Sequence, residues 1–103
     1  MNLTEEQKLR TELTRGQRAA ELMSDELLVE AFETLDARFN QEWANSPARD
    51  IEGREKIWQM KRLLKSVGDH LNEIAMTGKL ASLQLQDQQK MLDKAKQWAK
   101  DVF

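Results

Sequence analysis

The side chains best suited to chemistry are those of His70 and Glu73, which lie three positions apart and would share one face of a helix. An imidazole beside a carboxylate can hold zinc or move protons. A catalytic zinc ion usually has three protein ligands, however, and the chain has no second histidine and no cysteine. The pair therefore predicts neither a metal site nor a bound cofactor, and we interpret His70 as a structural or surface residue.

The sequence lacks the usual motifs for nucleophilic catalysis and for phosphate binding. The glycines at positions 16, 53, 68 and 78 are isolated, so they form no glycine-rich phosphate loop. Serine and threonine occupy candidate helix caps, and a Ser/His/Asp arrangement would have to use the single histidine. The sequence predicts that the protein is not an enzyme.

Composition predicts one small helical domain over residues 1–103. Hydrophobic residues make up 40% and charged residues 33%, with four Gly and one Pro, and the abundant Ala, Leu, Glu, Lys, Gln and Arg favour helices. A chain of this length buries only about 60–70% of its unfolded surface, so its own core is modest.

Three sequence features restrict the compartment and the partners that we expect for the protein. The absence of cysteine excludes disulfides and fits a reducing cytoplasm. No apolar run approaches the roughly 18–20 residues that cross a bilayer, so no membrane partner is predicted. A net charge of −2 makes nucleic acid an unfavoured partner, because binders usually carry a basic excess.

Capping signals divide the chain into four predicted helices. Capping boxes at Thr4 and Thr14 indicate a first helix that is short and could be broken. In Ser24-Asp25-Glu26, Ser24 is the candidate cap of a second helix, whose positive end the two carboxylates favour, and this helix ends before Pro47. Asp50 caps a third helix that Gly78 stops. Residues 80–103 form the fourth helix.

The short link at residues 46–49 favours an antiparallel αα-hairpin over about residues 25–77, flanked by the N- and C-terminal helices. Apolar residues alternate at steps of three and four in both arms, as in a heptad seam. In the second helix these are Leu28, Phe32, Leu35 and Phe39, continued by Trp43, and in the third Ile57, Met60, Leu64, Val67, Leu71 and Ile74. We expect the two seams to pack together.

The C-terminal helix carries more apolar surface than the hairpin needs. Its seam and flanking residues include Leu85, Leu92, Trp98, Val102 and Phe103. If the helix packs back, the chain is a small bundle; if it projects, another chain must cover it. We predict that it is the association element, for self-association or for a larger protein.

A stripe of Arg54, Trp58, Lys61 and Lys65 lies on one face of the third helix. A tryptophan among cations predicts a protein-interaction anchor or a phosphate contact with base stacking; the alternative is that another helix covers Trp58 and the lysines remain solvated. Gly68 lies within the same helix, where glycine is unfavourable. It indicates a close helix crossing, within the monomer or against a partner, or tolerance at the surface.

Several runs between about residues 14 and 82 look familiar. They are Arg15-Gly-Gln-Arg-Ala-Ala, Ala31-Phe32, Trp43, Ser46-Pro-Ala-Arg-Asp50, Gly53-Arg-Glu-Lys-Ile-Trp58, His70-Leu71 and Gly78-Lys-Leu-Ala81. In these runs the chain resembles small, largely uncharacterised proteins encoded among the head and packaging genes of tailed phages and prophages. The family contributes no catalytic residue. The resemblance implies assembly or packaging work in the host bacterial cytoplasm, or in the virion.

Three hypotheses about function follow. The first is a virion-assembly or structural accessory protein that oligomerises or binds a larger phage protein. The second is a DNA-packaging adaptor similar to a small terminase subunit, whose oligomer presents basic helices to DNA. The third is a phage inhibitor that covers a host protein through the acidic residues of positions 21–42.

Overall fold

The computed structural model describes residues 2–102, and over that range the chain contains three α-helices and no strand. The helices are α1 (Leu3–Ser24), α2 (Glu26–Asn45) and α3 (Ile51–Val102). The predicted all-α class is confirmed. Contacts group the chain into unit 1, Met1–Arg18 with Ile74–Phe103, and unit 2, Ala19–Glu73.

Local caps set the helix boundaries in unit 2, and the cap of α2 lies one position after the predicted Ser24, which is the last residue of α1. Asp25 is the only residue between α1 and α2; its backbone is extended, with ψ 121°, and its carboxylate accepts a hydrogen bond from the amide of Leu28. Asp50 caps α3 by accepting from the amide of Gly53 at 3.0 Å. Helix α2 ends shortly before Pro47, which cannot continue it.

Unit 2 contains the predicted antiparallel hairpin of α2 and the first part of α3. Arg54 meets Trp43 near the loop, whereas Lys61 reaches back to Asp36, so positions rise along α3 as they fall along α2. The half-buried seam residues are Leu28, Phe32 and Phe39 in α2, with Ile57, Lys61, Leu64, Gly68 and Leu71 in α3.

The seam of α3 differs from the predicted one at two positions. Met60 and Val67 are exposed, and the adjacent Lys61 and Gly68 are half-buried in their place. Residues one position apart lie about 100° apart around a helix axis. Met60 and Lys61 therefore lie on opposite sides of the line that runs along α3 through Leu64, and so do Val67 and Gly68. Lysine can occupy such a flank because its aliphatic stem packs while its amine reaches polar groups.

Unit 1 contains most of α1 and the second part of α3. Its covered positions repeat at helical spacing: Glu6, Leu9, Glu12, Leu13 and Gly16 in α1, and Ile74, Ala75, Gly78, Ala81, Ser82, Leu85 and Gln88 in α3. The helices come closest at two glycines. A Cβ atom built on Gly16 would lie 2.6 Å from the Cα of Gly78. The crossing therefore leaves no room for a side chain on either residue.

The glycine crossing corrects two predicted boundaries. We expected Gly78 to stop the third helix and Gly16 to accompany a short or broken first helix. Instead α3 continues through Gly78 to Val102 and α1 is continuous, and neither glycine has a positive φ. The missing Cβ is used for backbone approach rather than for a left-handed turn.

Gly68 behaves differently from the glycines of unit 1. A Cβ built there would meet no described atom within 4 Å. The close crossing expected within the monomer at this position is therefore absent from the described residues.

Candidate interaction surfaces

One side of the hairpin in unit 2 has an apolar groove with a charged rim. A groove of about 650 Å³ lies between α2 and α3. The half-buried residues Phe32, Leu64 and Gly68 line it, and its charged and aromatic rim consists of Glu33, Asp36, Trp58, Lys61, Arg62, Lys65 and Asp69. We call this side the polar hairpin face.

The predicted basic stripe lies at and beside this face, and its cations have partners within unit 2. The Lys61 amine donates to the Asn40 side chain and lies 3.9 Å from the Asp36 carboxylate. Lys65 pairs with Asp69 at 3.0 Å. These pairs are solvent-accessible, so each is worth about 0–1 kcal/mol, but both place a carboxylate or amide oxygen where a phosphate would have to bind.

The two tryptophans of the hairpin each stack with an arginine. The Arg54 guanidinium lies 3.9 Å from the Trp43 ring centroid, and its Nη1 donates to the Ser46 carbonyl at 3.3 Å. The Arg62 guanidinium lies 4.9 Å from the Trp58 ring centroid. Trp58 nevertheless remains 46% exposed. It is thus not covered by another helix in the described chain, and it stays available as a contact residue.

The other side of the hairpin carries both apolar and charged residues. Positions 35 and 36 flank the line from Phe32 to Phe39, and positions 60 and 61 flank the line from Ile57 to Leu64. Because Asp36 and Lys61 line the groove, their neighbours on the opposite flank share the opposite side. Its apolar members are Ala31, Leu35, Met60, Leu63 and Val67, which we call the apolar hairpin face, and the same helical rows also carry Arg38, Glu42 and Lys56.

The large side chains of this face are accessible to solvent. Met60 is 52%, Leu63 67% and Val67 48% exposed. The heptad pattern assigned Met60 and Val67 to the hairpin seam, and it also assigned Leu35 of α2 there, which is exposed instead. The apolar periodicity of α3 therefore continues on a surface that no described residue covers.

Unit 1 has a second exposed apolar region at the end of α3. The last covered position of the α3 seam before Ala99 is Gln88, and residues 89–98 are all exposed. Among the predicted contact residues, Leu92, Trp98 and Val102 are 52%, 63% and 54% exposed, whereas Leu85 is half-buried in unit 1. Phe103 lies outside the described residues. We call residues 89–102 the C-terminal segment.

The extent of exposure is large for a chain of this size. The buried hydrophobic residues among those described are Ala19, 3% exposed, and Ala81, 1% exposed. The total accessible surface is 8610 Å².

The pair proposed for chemistry from the sequence remains at the surface. The Nδ1 atom of His70 lies 3.9 Å from a carboxylate oxygen of Glu73, and both side chains are exposed. Among the described residues, no three His, Cys, Asp or Glu side chains are grouped as a metal site. No helix of residues 2–102 is long and apolar enough to cross a membrane.

Two features escaped the sequence analysis. The first is the pairing of Gly16 with Gly78, although a signal existed: each glycine is followed three residues later by one of the two buried alanines, Ala19 and Ala81. Such small residues at helical spacing allow helices to approach closely. The second is the division of α3 into a covered seam and an exposed apolar face. Predicting it requires the position of α2, which the sequence pattern of α3 does not contain.

Known proteins offer no guide to these surfaces, since no family model, curated protein or solved structure matches the chain.

Proposed function

We propose that this protein is a non-enzymatic assembly protein that acts by binding other protein subunits. The observation that carries the proposal is the apolar surface. Only two small hydrophobic residues of the described chain are buried, while at least ten large ones in both units are exposed. Contiguous exposed apolar residues mark protein contacts when they form patches on helix faces.

The setting that we propose is the one implied by the resemblance to phage head and packaging proteins: a virion-assembly or structural accessory subunit in the infected bacterial cytoplasm or in the particle. Two surfaces serve association. The apolar hairpin face belongs to unit 2, and the C-terminal segment with Leu92, Trp98 and Val102 belongs to unit 1. We assign the segment to a larger protein of the particle, because a helix with exposed apolar side chains suits docking into a groove.

DNA packaging is the less favoured function. The cations that would contact phosphates already face Asp36, Asn40 and Asp69, and the net charge is −2. Gel shift at about 50 mM salt should show weak retention without saturation. Tight binding that is lost when Lys61 and Lys65 are changed to Glu would instead favour the packaging adaptor.

The test of the proposed function is whether the fold depends on association. Far-ultraviolet circular dichroism and light scattering on the full chain, from about 1 to 100 μM, should show a thermal midpoint that rises with concentration, as expected when the folded state is the associated one. A monomer that is fully helical and unfolds cooperatively at one concentration-independent temperature would contradict the proposal, because its apolar surface would then need no cover.

A further inference from the structure

Gly68 opens a small apolar pocket in unit 2, which we call the Gly68 pocket. Its volume is about 200 Å³, and it shares Phe32, Glu33 and Gly68 with the larger groove between α2 and α3, so the two are continuous. Apolar residues from the end of α1, from α2 and from α3 line it, among them Leu22 and Leu71, and Glu33 is the one charged residue among the described residues that do so.

The size and position of this pocket suit one side chain of a partner protein. A Cβ built on Gly68 would meet no described atom within 4 Å, so no neighbouring helix uses the space that this helix-interior glycine leaves. The volume of 200 Å³ lies below the range of about 300–1,000 Å³ that is usual for small-molecule sites. Protein interfaces instead place single large anchor side chains in pockets of this kind.

The surroundings of the pocket are acidic. Residues 21–36 supply six of its eight lining residues, and this stretch contains six acidic residues and no lysine or arginine. On α3, residues 66–73 add Asp69 and Glu73, and the neighbouring Lys65 is already paired with Asp69 at 3.0 Å. The net charge of the whole chain is only −2, so negative charge is concentrated around this pocket. A basic partner complements it, whereas an acidic one is repelled.

Three of these carboxylates form a row along α2. Glu26, Glu30 and Glu33 are separated by four and three positions, so they lie on one face over about 10 Å of helix. All three are exposed, and no ion pair within residues 2–102 includes any of them. A second helix lying beside α2 presents its own side chains at the same spacings. Lysines or arginines four and three positions apart on that helix would therefore face the row.

We propose that the Gly68 pocket binds a basic amphipathic helix of another protein. One large apolar side chain of that helix fills the space at Gly68, and its basic residues face the carboxylates on α2. Binding of a helix in a groove combines apolar anchors with charged flanks in this way. The pocket is a third contact surface, and its assignment rests on the proposed function, because it names the chemistry of one partner.

The first experiment measures peptide binding to the full chain by fluorescence anisotropy. The probe is a labelled synthetic helix of about 18 residues, with leucines on one face and lysines on the other, and a second peptide has glutamate in place of lysine. The chain should bind the lysine peptide, more weakly as salt is added, and should not bind the glutamate peptide. Gly68→Leu fills the pocket and should raise the dissociation constant at least about thirtyfold. Its control is Gln59→Leu, which adds the same side chain at an exposed position of α3 outside the pocket.

A second experiment removes charge and leaves the apolar lining in place, so it remains informative if Gly68→Leu does not fold. Glu30→Gln combined with Glu33→Gln should raise the dissociation constant of the lysine peptide at least about fivefold. The matched control is Glu42→Gln combined with Glu52→Gln. It changes the net charge equally at two exposed residues of the same unit, and it should bind the peptide as the wild type does.

The outcomes separate this inference from the proposed function. Loss of binding in Gly68→Leu and weaker binding in the variant of the α2 row, with both controls unchanged, support the inference. Equal binding by Gly68→Leu and the wild type overturns it, and so does equal weakening by both pairs of glutamine substitutions. Tighter binding of a peptide of residues 89–103 than of the lysine peptide would replace the foreign helix with a second copy of this chain. The thermal midpoint without peptide tests the proposed function, so a chain that associates but binds no lysine peptide overturns this inference alone.

Discussion

The two units join helices in opposite ways. In unit 1, α1 and α3 meet through glycines so closely that a Cβ on Gly16 would lie 2.6 Å from the Cα of Gly78. In unit 2, α2 and α3 meet through large side chains such as Phe32 and Leu64, and Gly68 faces open space. The same residue type therefore permits a close backbone crossing in one helix pair and makes no such contact in the other. Glycine contributes to packing only where a backbone takes the place of its missing side chain.

The largest effect on the free energy of unfolding should come from adding a methyl group where α1 and α3 cross at Gly16 and Gly78. Gly78→Ala would place its Cβ 2.7 Å from the carbonyl oxygen of Glu12, and because backbone atoms cannot rotate away, the helices must separate. We expect a loss of about 3 kcal/mol in the free energy of unfolding, the upper part of the usual overpacking range. Denaturant unfolding at fixed chain concentration measures it, and hydrogen exchange should show faster opening of α1 than of α2.

Gly16→Ala is the reciprocal change and should have a similar effect, since it meets the same backbone. If either substitution leaves the unfolding midpoint unchanged, the helices of unit 1 are not in backbone contact, and the contrast between the units disappears.

The next effect concerns the side-chain seam of unit 2. Leu64→Ala removes a half-buried leucine between the hairpin arms, and we expect a cost of about 2 kcal/mol, the lower end for leucine-to-alanine changes. Thermal unfolding compared with Gln59→Ala, an exposed change on the same helix, measures it. Equal midpoints for the two variants would place the seam elsewhere on α3.

An effect of the opposite sign should follow from filling the space at Gly68. Gly68→Ala adds a Cβ that meets no described atom within 4 Å and removes an unfavourable helix-interior glycine. We expect stabilisation by about 1 kcal/mol. The same denaturant titration measures Gly68→Ala and Gly78→Ala. The two changes in the free energy of unfolding should have opposite signs. Destabilisation would mean that Gly68 is in close contact with another chain.

The smallest effect should come from the end of α3. A chain ending at Lys90 loses only the exposed part of α3 and Ala99, which is half-buried, so its free energy of unfolding should change by less than about 1 kcal/mol. A chain ending at Thr77 is the control, because it also loses Gly78 and should lose the helicity of α1. A large loss of helicity in the chain ending at Lys90 would show that the C-terminal segment stabilises unit 1.

Local chemistry made part of the fold predictable. Asp50 and Pro47 act on backbone groups within four positions of themselves, so their roles follow from sequence spacing alone. Ser24 and Asp25 are both residue types that cap helices, and the structure uses Asp25 instead of the predicted Ser24. Met60 and Lys61 could not be assigned in this way. They lie on opposite flanks of one helical line, and only the place of Asp36 and Asn40 on α2 decides which flank is covered.

The candidate site was predictable to a similar degree. Exposed Trp58, Leu92, Trp98 and Val102 agree with the expectation that α3 presents apolar and aromatic surface. Leu85 was predicted to contact a partner, but it is half-buried in unit 1, because the seam continues through Gly78 instead of ending there. A glycine in a helical pattern is compatible with a stop or a crossing, and the choice depends on a residue 62 positions away.

That separation has a consequence for the order of folding. The hairpin closes through contacts between residues 8 and 21 positions apart, such as Arg54 with Ser46 and Lys61 with Asn40, whereas Gly16 must find Gly78. Closing the longer loop costs roughly 1–2 kcal/mol more chain entropy than closing the shorter ones. Helix α1 should therefore dock after the transition state, so that Gly16→Ala accelerates unfolding in stopped-flow measurements and leaves the refolding rate nearly unchanged. During synthesis α1 is made before α3. Its apolar side therefore remains exposed to solvent until the second part of α3, against which it packs, has been made.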